Sequence, residues 1–173
     1  MPNTALTDDH HLAFGRYIAA HTRLEHVLHY VIAGLMGVKV PLSTILTVDT
    51  QVRQKFDMAL ALIAYHGGDP AGPRALIRLV KLESLIEKGR AFGKLRNFIA
   101  HSLWKSGRKP GTIKPMWTSA KGTLKTLGQS RNEKNWTADE ISKKASDIHD
   151  LCDEIALEMI HLGIFDKPSE SDD

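Results

Sequence analysis

The sequence contains a single cysteine, Cys152, and no apolar run that approaches the ~20 residues needed to cross a bilayer. One cysteine cannot form an internal disulfide, which fits a reducing compartment. Residues 1–9 also lack the basic-then-apolar order of a signal peptide. We therefore expect a cytoplasmic protein with no membrane association. Because Cys152 falls on an apolar helical stripe, we interpret it as a small buried hydrophobe and not as a nucleophile.

Motifs for metals and nucleotides are missing as well. The chain has no cysteine pair and no His-Glu-x-x-His segment, and Gly67-Gly68 lacks the Lys-Ser/Thr that completes a phosphate loop. His26 and His29 are three residues apart, and His10-His11 precede them, but no third and fourth ligand follow at suitable spacing. We therefore predict neither a metal site nor a cofactor.

The composition is that of an ordinary globular protein, with 42% hydrophobic and 25% charged residues. A chain of 173 residues is long enough to bury one core and short for two. No internal repeat is visible. We predict a single domain over residues 1–166 and a flexible acidic tail over residues 167–173.

Apolar residues recur at spacings of three and four along most of the chain, which is typical of amphipathic helices. Thr7 begins the first pattern and Gly37 ends it. Residues 43–49 are predicted to form a short connector or a turn of helix before the second pattern. The later predicted helices cover residues 51–66, 73–86, 92–104 and 137–163. The fold prediction is all-α, an antiparallel bundle of four to five helices.

Residues 105–135 lose the helical period and are interrupted by glycine and proline. We predict an inserted basic loop before the last helix, with a small hairpin that pairs residues 112–114 with residues 116–118. This region contains eight basic residues and one acidic residue, Glu133. The basic residues are Lys105, Arg108, Lys109, Lys114, Lys121, Lys125, Arg131 and Lys134. This charge either attracts a polyanion such as RNA or marks a solvated loop. The tryptophans at 104, 117 and 136 either stack on bases or pack the loop against the bundle.

The segment Arg96-Asn97-Phe98-Ile99-Ala100-His101 concentrates reactive side chains within an apolar helical frame. Asn97 and His101 are four residues apart and lie one above the other on a helix. Arg96 is about 140° around the helix from His101. One copy therefore predicts separated side chains, and two copies across a two-fold axis would bring both arginines and both histidines into one groove.

These residue types suit the cleavage of RNA without a metal. The 2′-hydroxyl of RNA is an internal nucleophile, so the protein must mainly move protons and stabilise charge. Histidine transfers protons near neutral pH, and the guanidinium of arginine matches the charge that develops on the phosphate. We predict that His101 acts in proton transfer, that Arg96 binds the phosphate and that Asn97 orients them.

This segment resembles the Arg-polar-x-x-x-His signature of HEPN domains, a superfamily of small helical bundles. The resemblance implies a metal-independent endoribonuclease that leaves a 2′,3′-cyclic phosphate, in a toxin–antitoxin or phage-defence setting. It also implies a homodimer with a composite site, and an antitoxin or regulatory protein as a further partner. Lys105, Arg108, Lys109 and Lys114 would then help to bind RNA.

Several alternatives remain open from the residues alone. Glu25 either holds Arg96 by a charge-assisted bond or is exposed, paired with Arg23 or with nothing. Arg96 could bind carboxylates of the acidic last helix, with His101 partly buried. The chain could also be a non-catalytic HEPN-like dimerisation or protein-interaction module, or a non-specific nucleic-acid binder.

Overall fold

The computed structural model describes residues 6–116 and 134–164, and every structural statement below concerns those residues. Its elements in chain order are α1 (Asp8–Met36), α2 (Val40–Thr47), α3 (Val52–Gly68), α4 (Pro73–Arg90), α5 (Gly93–His101), β1 (Leu103–Ser106), β2 (Ile113–Met116) and α6 (Ala138–His161). The all-α prediction is confirmed. The predictions for Trp117 and for the tail over residues 167–173 fall outside the described residues.

The chain divides into two compact units. The first, called the hairpin unit, comprises Met1–His21 and Gly93–Asp147. The second, called the helical unit, comprises Thr22–Phe92 and Ile148–Asp173. The single HEPN-like domain over residues 1–166 stays a prediction.

Side chains from three other helices surround Gly89 of α4 in the core of the helical unit. A Cβ atom at this position would lie 3.2 Å from Phe56 of α3 and 3.4 Å from both Leu24 of α1 and Leu151 of α6. The absence of a side chain lets the four helices pack tightly there, because protein interiors leave few voids. This unit therefore has the interdigitated core that the apolar spacing of the sequence predicts.

Local signals set several helix ends as the sequence predicts. Gly37 and Gly163 have φ angles of 67° and 68°, the left-handed conformation in which glycine commonly ends a helix. Thr137 begins α6: its hydroxyl accepts from the Glu140 N–H at 3.1 Å, while the Glu140 carboxylate accepts from the Thr137 N–H at 2.9 Å. The predicted capping box is confirmed.

Of the two alternatives predicted for residues 43–49, a connector or a turn of helix, the structure shows a helix: α2 extends over Val40–Thr47, and its polarity is inverted. Its buried residues are Ser43 and Thr47, whose hydroxyls donate to backbone carbonyls one turn earlier in the same helix. Leu42, Ile45 and Leu46 are instead 47%, 70% and 55% exposed. The hydroxyls are satisfied within the helix, which makes their burial inexpensive. The apolar side chains are left facing outward.

The region after α5 corrects two predictions. The helical repeat expected to continue to Trp104 ends at His101, and Leu103–Ser106 forms a strand instead. The hairpin predicted between residues 112–114 and 116–118 is wrong, because residues 113–116 form one strand, β2, which pairs with β1 in antiparallel register. A short apolar run fits the periodicity of a helix and that of a strand equally well, and pairing with a second strand decides between the two structures.

Among the helices in the described ranges, no single one is both long enough and apolar enough to cross a bilayer. Taken together, α1 and α2 meet these two criteria, but the pair is bent by 114°.

Candidate active site

Helix α5 presents the predicted site residues at the surface of the hairpin unit. Leu95 is buried and anchors the helix, whereas Asn97 and His101 are exposed and Arg96 is partly exposed. The last helical bond runs from the Ser102 N–H to the Phe98 carbonyl at 3.0 Å, so His101 lies where the helix ends. The three polar side chains are accessible to a ligand, and the partly buried histidine considered above is not observed.

The Arg96 side chain reaches both other members of the site within one chain. Its Nη1 lies 3.4 Å from Asn97 Oδ1 and 3.5 Å from His101 Nε2. The expectation that one copy leaves these side chains separated is therefore wrong. Helical arithmetic gives the directions of Cβ atoms, and a long arginine side chain spans the intervening angle.

This contact assigns roles to the atoms involved. A guanidinium only donates hydrogen bonds, so the His101 Nε2 that faces it must accept. The Nε2 atom of His101 lies beside a fixed positive charge, which is the arrangement of a proton acceptor next to a group that binds an anion.

The chain around this site carries positive charge and no negative charge. Residues 93–116 contain six lysines and arginines and no aspartate or glutamate. Of these, Lys105, Arg108, Lys109 and Lys114 are the predicted RNA-binding residues. None of the four side chains forms an ion pair in the part of the chain that the structure describes. The positive charge next to α5 is therefore free to interact with an external anion.

The hairpin that carries these cations is fixed to the rest of its unit. The Trp104 ring packs against Phe14 of α1, with ring centroids 4.9 Å apart. Ile113 of β2 exchanges two backbone hydrogen bonds of 2.8 Å with Trp136. The Lys134 ammonium lies 4.0 Å from the centre of the Trp136 ring. Both tryptophans therefore pack within the protein, as one of the two interpretations above proposed.

Glu25 belongs to the helical unit and Arg96 to the hairpin unit, so the bond predicted between them stays a prediction. Within its own unit, the Glu25 carboxylate accepts from Lys55 Nζ at 2.5 Å, and the Lys55 side chain is 4% exposed. Arg23, the alternative partner, donates to Asp153 at 2.6 Å. Sequence reasoning missed Lys55 because the pair joins two helices thirty residues apart.

The structure also bears on Cys152 and on possible metal ligands. Cys152 is 1% exposed, and burial raises the pKa of its thiol to about 11, which confirms its interpretation as a buried hydrophobe. Within residues 6–116 and 134–164, no group of three or more histidine, cysteine or acidic side chains has an arrangement that could hold a metal ion.

Comparisons of this chain with protein-family models, with curated proteins and with solved structures gave no match.

Proposed function

We propose that this chain is a metal-independent endoribonuclease of the HEPN type, acting on RNA in a toxin–antitoxin or phage-defence setting. The observation that carries the proposal is the clustering of Arg96, Asn97 and His101 at an exposed helix end. An imidazole that can accept a proton and a guanidinium that can stabilise the phosphate charge are groups that 2′-hydroxyl attack requires, and here they lie within 3.5 Å of each other. The unpaired cations of residues 93–116 support RNA as the polyanion.

The reaction follows from the assigned atoms. His101 Nε2 accepts the proton of the 2′-hydroxyl, and the 2′-oxygen forms a bond to phosphorus as the bond to the 5′-oxygen breaks. Arg96 leaves His101 and binds the phosphate, where it stabilises the charge that develops on the non-bridging oxygens. The departing 5′-oxygen takes a proton from a protonated histidine, which in a homodimer would be His101 of the second copy. The products are a 2′,3′-cyclic phosphate and a 5′-hydroxyl.

The test is cleavage of a labelled single-stranded RNA in the presence of EDTA. We expect the wild-type protein to cleave it to a cyclic phosphate, and His101→Ala to lower the rate by about 10²–10⁴-fold because it removes the proton acceptor. Arg96→Ala should lower it comparably. His161→Ala is the matched control, since His161 is also an exposed histidine at the last position of a helix.

Three results would contradict the proposal. The first is an activity that EDTA removes. The second is full activity in His101→Ala, and the third is equal losses in the His101 and His161 variants. Growth provides a second readout in cells: expression of an active ribonuclease should slow growth, and Arg96→Ala should relieve the effect.

The inverted helix α2 favours a second candidate function, a non-catalytic module that dimerises with another copy of this chain. Leu42, Ile45 and Leu46 form one exposed stripe, and the helix carries no charged residue. Two such faces meet without like-charge repulsion. If this candidate is correct, light scattering should give a dimer that Ile45→Glu converts to a monomer. Leu12→Glu, at a leucine that is 55% exposed, should leave the dimer intact. A dimeric protein without ribonuclease activity would favour this candidate over the first.

A further inference from the structure

Two lysines face each other across the hairpin beside the candidate active site. In the register of β1 and β2, Lys105 is paired directly with Lys114. Directly paired residues of antiparallel strands project from the same face, with Cβ atoms about 4.5–5.5 Å apart. Like charges in this relation destabilise a hairpin. Neither lysine has a carboxylate partner among the described residues, so none of those residues relieves the repulsion.

The same face also presents an apolar side chain. Side chains alternate between the two faces of a strand, so Leu103 projects from the face that carries Lys105. Leu103 is 64% exposed. Two cations next to an exposed apolar side chain match a nucleic-acid strand, which offers phosphates and the apolar faces of sugars and bases.

The chain itself limits the distance between this lysine pair and the candidate active site. His101 ends α5, and Lys105 follows four residues later. Four residues span at most about 14 Å. A stacked strand rises about 3.4 Å per nucleotide, so this backbone distance corresponds to about four nucleotides, to which the lengths of the two side chains are added.

We propose that Lys105 and Lys114 together hold a backbone phosphate of the RNA, within about four nucleotides of the phosphate that is cleaved. The inference rests on the proposed ribonuclease function and specifies its substrate: a single strand that extends beyond the cut to reach the hairpin. A dinucleotide contains the scissile bond but cannot reach this subsite. The lysine pair then contributes to the cleavage of long substrates and contributes nothing to the cleavage of the shortest.

The first experiment measures kcat/KM in EDTA for oligouridylates of two to twelve nucleotides. For the wild-type protein, kcat/KM should rise with length and then reach a plateau. Lys105→Ala/Lys114→Ala should match the wild type on the dinucleotide and lose at least tenfold on the dodecamer. Lys105→Arg/Lys114→Arg should keep most of the activity, because the charges remain. The control is Lys39→Ala/Lys88→Ala, which removes two exposed lysines of the helical unit.

The second experiment measures binding of a twelve-residue oligothymidylate, which lacks the 2′-hydroxyl and cannot be cleaved by this route. The logarithm of the binding constant falls with the logarithm of salt concentration, with a slope of about −0.7 per phosphate neutralised on a single strand. Because the two lysines share one phosphate, the double alanine variant should reduce the magnitude of this slope by about 0.7, and the control variant should leave it unchanged. Circular dichroism establishes that both variants are folded.

The outcomes separate the two proposals. If the wild-type protein cleaves no RNA but the double alanine variant lowers the salt slope, the ribonuclease proposal fails and the phosphate subsite stands. If the wild-type protein cleaves RNA and the double alanine variant has the same length dependence and salt slope as the wild type, the ribonuclease stands and the subsite is overturned. An equal loss on the dinucleotide and the dodecamer also overturns it, since the lysines would then act at the cleaved phosphate.

Discussion

The hairpin unit and the helical unit differ in their balance of charge and in how many of their cations form ion pairs. The described residues of the hairpin unit include ten lysines and arginines and five aspartates and glutamates. Those of the helical unit include nine lysines and arginines and ten aspartates and glutamates. In the helical unit, five of the nine cations form ion pairs, including Lys55 with Glu25 and both Arg78 and Lys81 with Glu158. In the hairpin unit, two of the ten do, Lys134 and Lys144.

This difference shows which charged side chains take part in ion pairs and which do not, among the described residues. A carboxylate in the helical unit is paired with a cation when it is buried, because an unpaired buried charge costs several kcal/mol. The cations of residues 93–116 have no such constraint, and their mutual repulsion is tolerated. Such an excess of one sign contributes little to a fold, and it attracts anions of the opposite sign.

The largest loss of stability should come from removing the two cations that pair with Glu158, whose side chain is fully buried. Burial alone would raise the pKa of this carboxyl, but hydrogen bonds from Lys81 and Arg78 outweigh it and lower the pKa. Arg78→Ala/Lys81→Ala leaves a buried charge without partners, so the free energy of unfolding should fall by about 3–5 kcal/mol. Denaturant unfolding at pH 7 followed by circular dichroism measures it.

Two further variants test the cause of that loss. Arg74→Ala/Lys88→Ala removes two exposed cations of the same helix and should change stability by less than about 1 kcal/mol. Adding Glu158→Leu to Arg78→Ala/Lys81→Ala should recover most of the loss, because the buried charge is then gone. Equal losses in the two double variants, or no recovery, would show that the cations act by packing. By contrast, Lys105→Ala/Lys114→Ala should not destabilise the protein.

A smaller effect is expected at the capping box of α6, in the hairpin unit. Thr137→Ala removes the hydroxyl that accepts from the Glu140 N–H, so the free energy of unfolding should fall by about 1 kcal/mol. The same denaturant unfolding measures it. Ser142→Ala, within the same helix, is the control and should leave the free energy of unfolding nearly unchanged. A Thr137 variant as stable as the wild type would mean that the two units unfold separately and that the measured transition reports the helical unit.

The smallest effect should be a dependence on pH within the helical unit. Burial, and then the charge of Lys55, lower the pKa of His29 below its ordinary value of 6.5, while Glu25 opposes the shift and His26 adds to it. The unfolded chain therefore takes up the proton first, and stability should fall as pH drops below about 6.5. His29→Leu should flatten this decline between pH 7.5 and 5.5 in denaturant unfolding, and His161→Leu should not. A wild-type protein equally stable at both pH values would contradict the assignment.

The sequence predicted those features that depend on near neighbours in the chain. The end of α1 at Gly37, the start of α4 at Pro73 and the capping box at Thr137 each follow from a few adjacent residues. The location of the site on α5 followed in the same way, from residue types within an apolar helical frame. Predictions failed where a second segment decides. The strand at Leu103–Ser106 needs its partner, β2, and the Lys55–Glu25 pair joins two helices.

The sequence by itself determined that the chain is helical, where most helices begin and end, and that Arg96, Asn97 and His101 share a helix. These properties depend on backbone conformation, which neighbouring residues set. Tertiary structure decided that Lys105 lies opposite Lys114 and that α2 turns its polar side inward. Those outcomes depend on strand register and on burial against other segments, and the periodicity of one segment does not specify either.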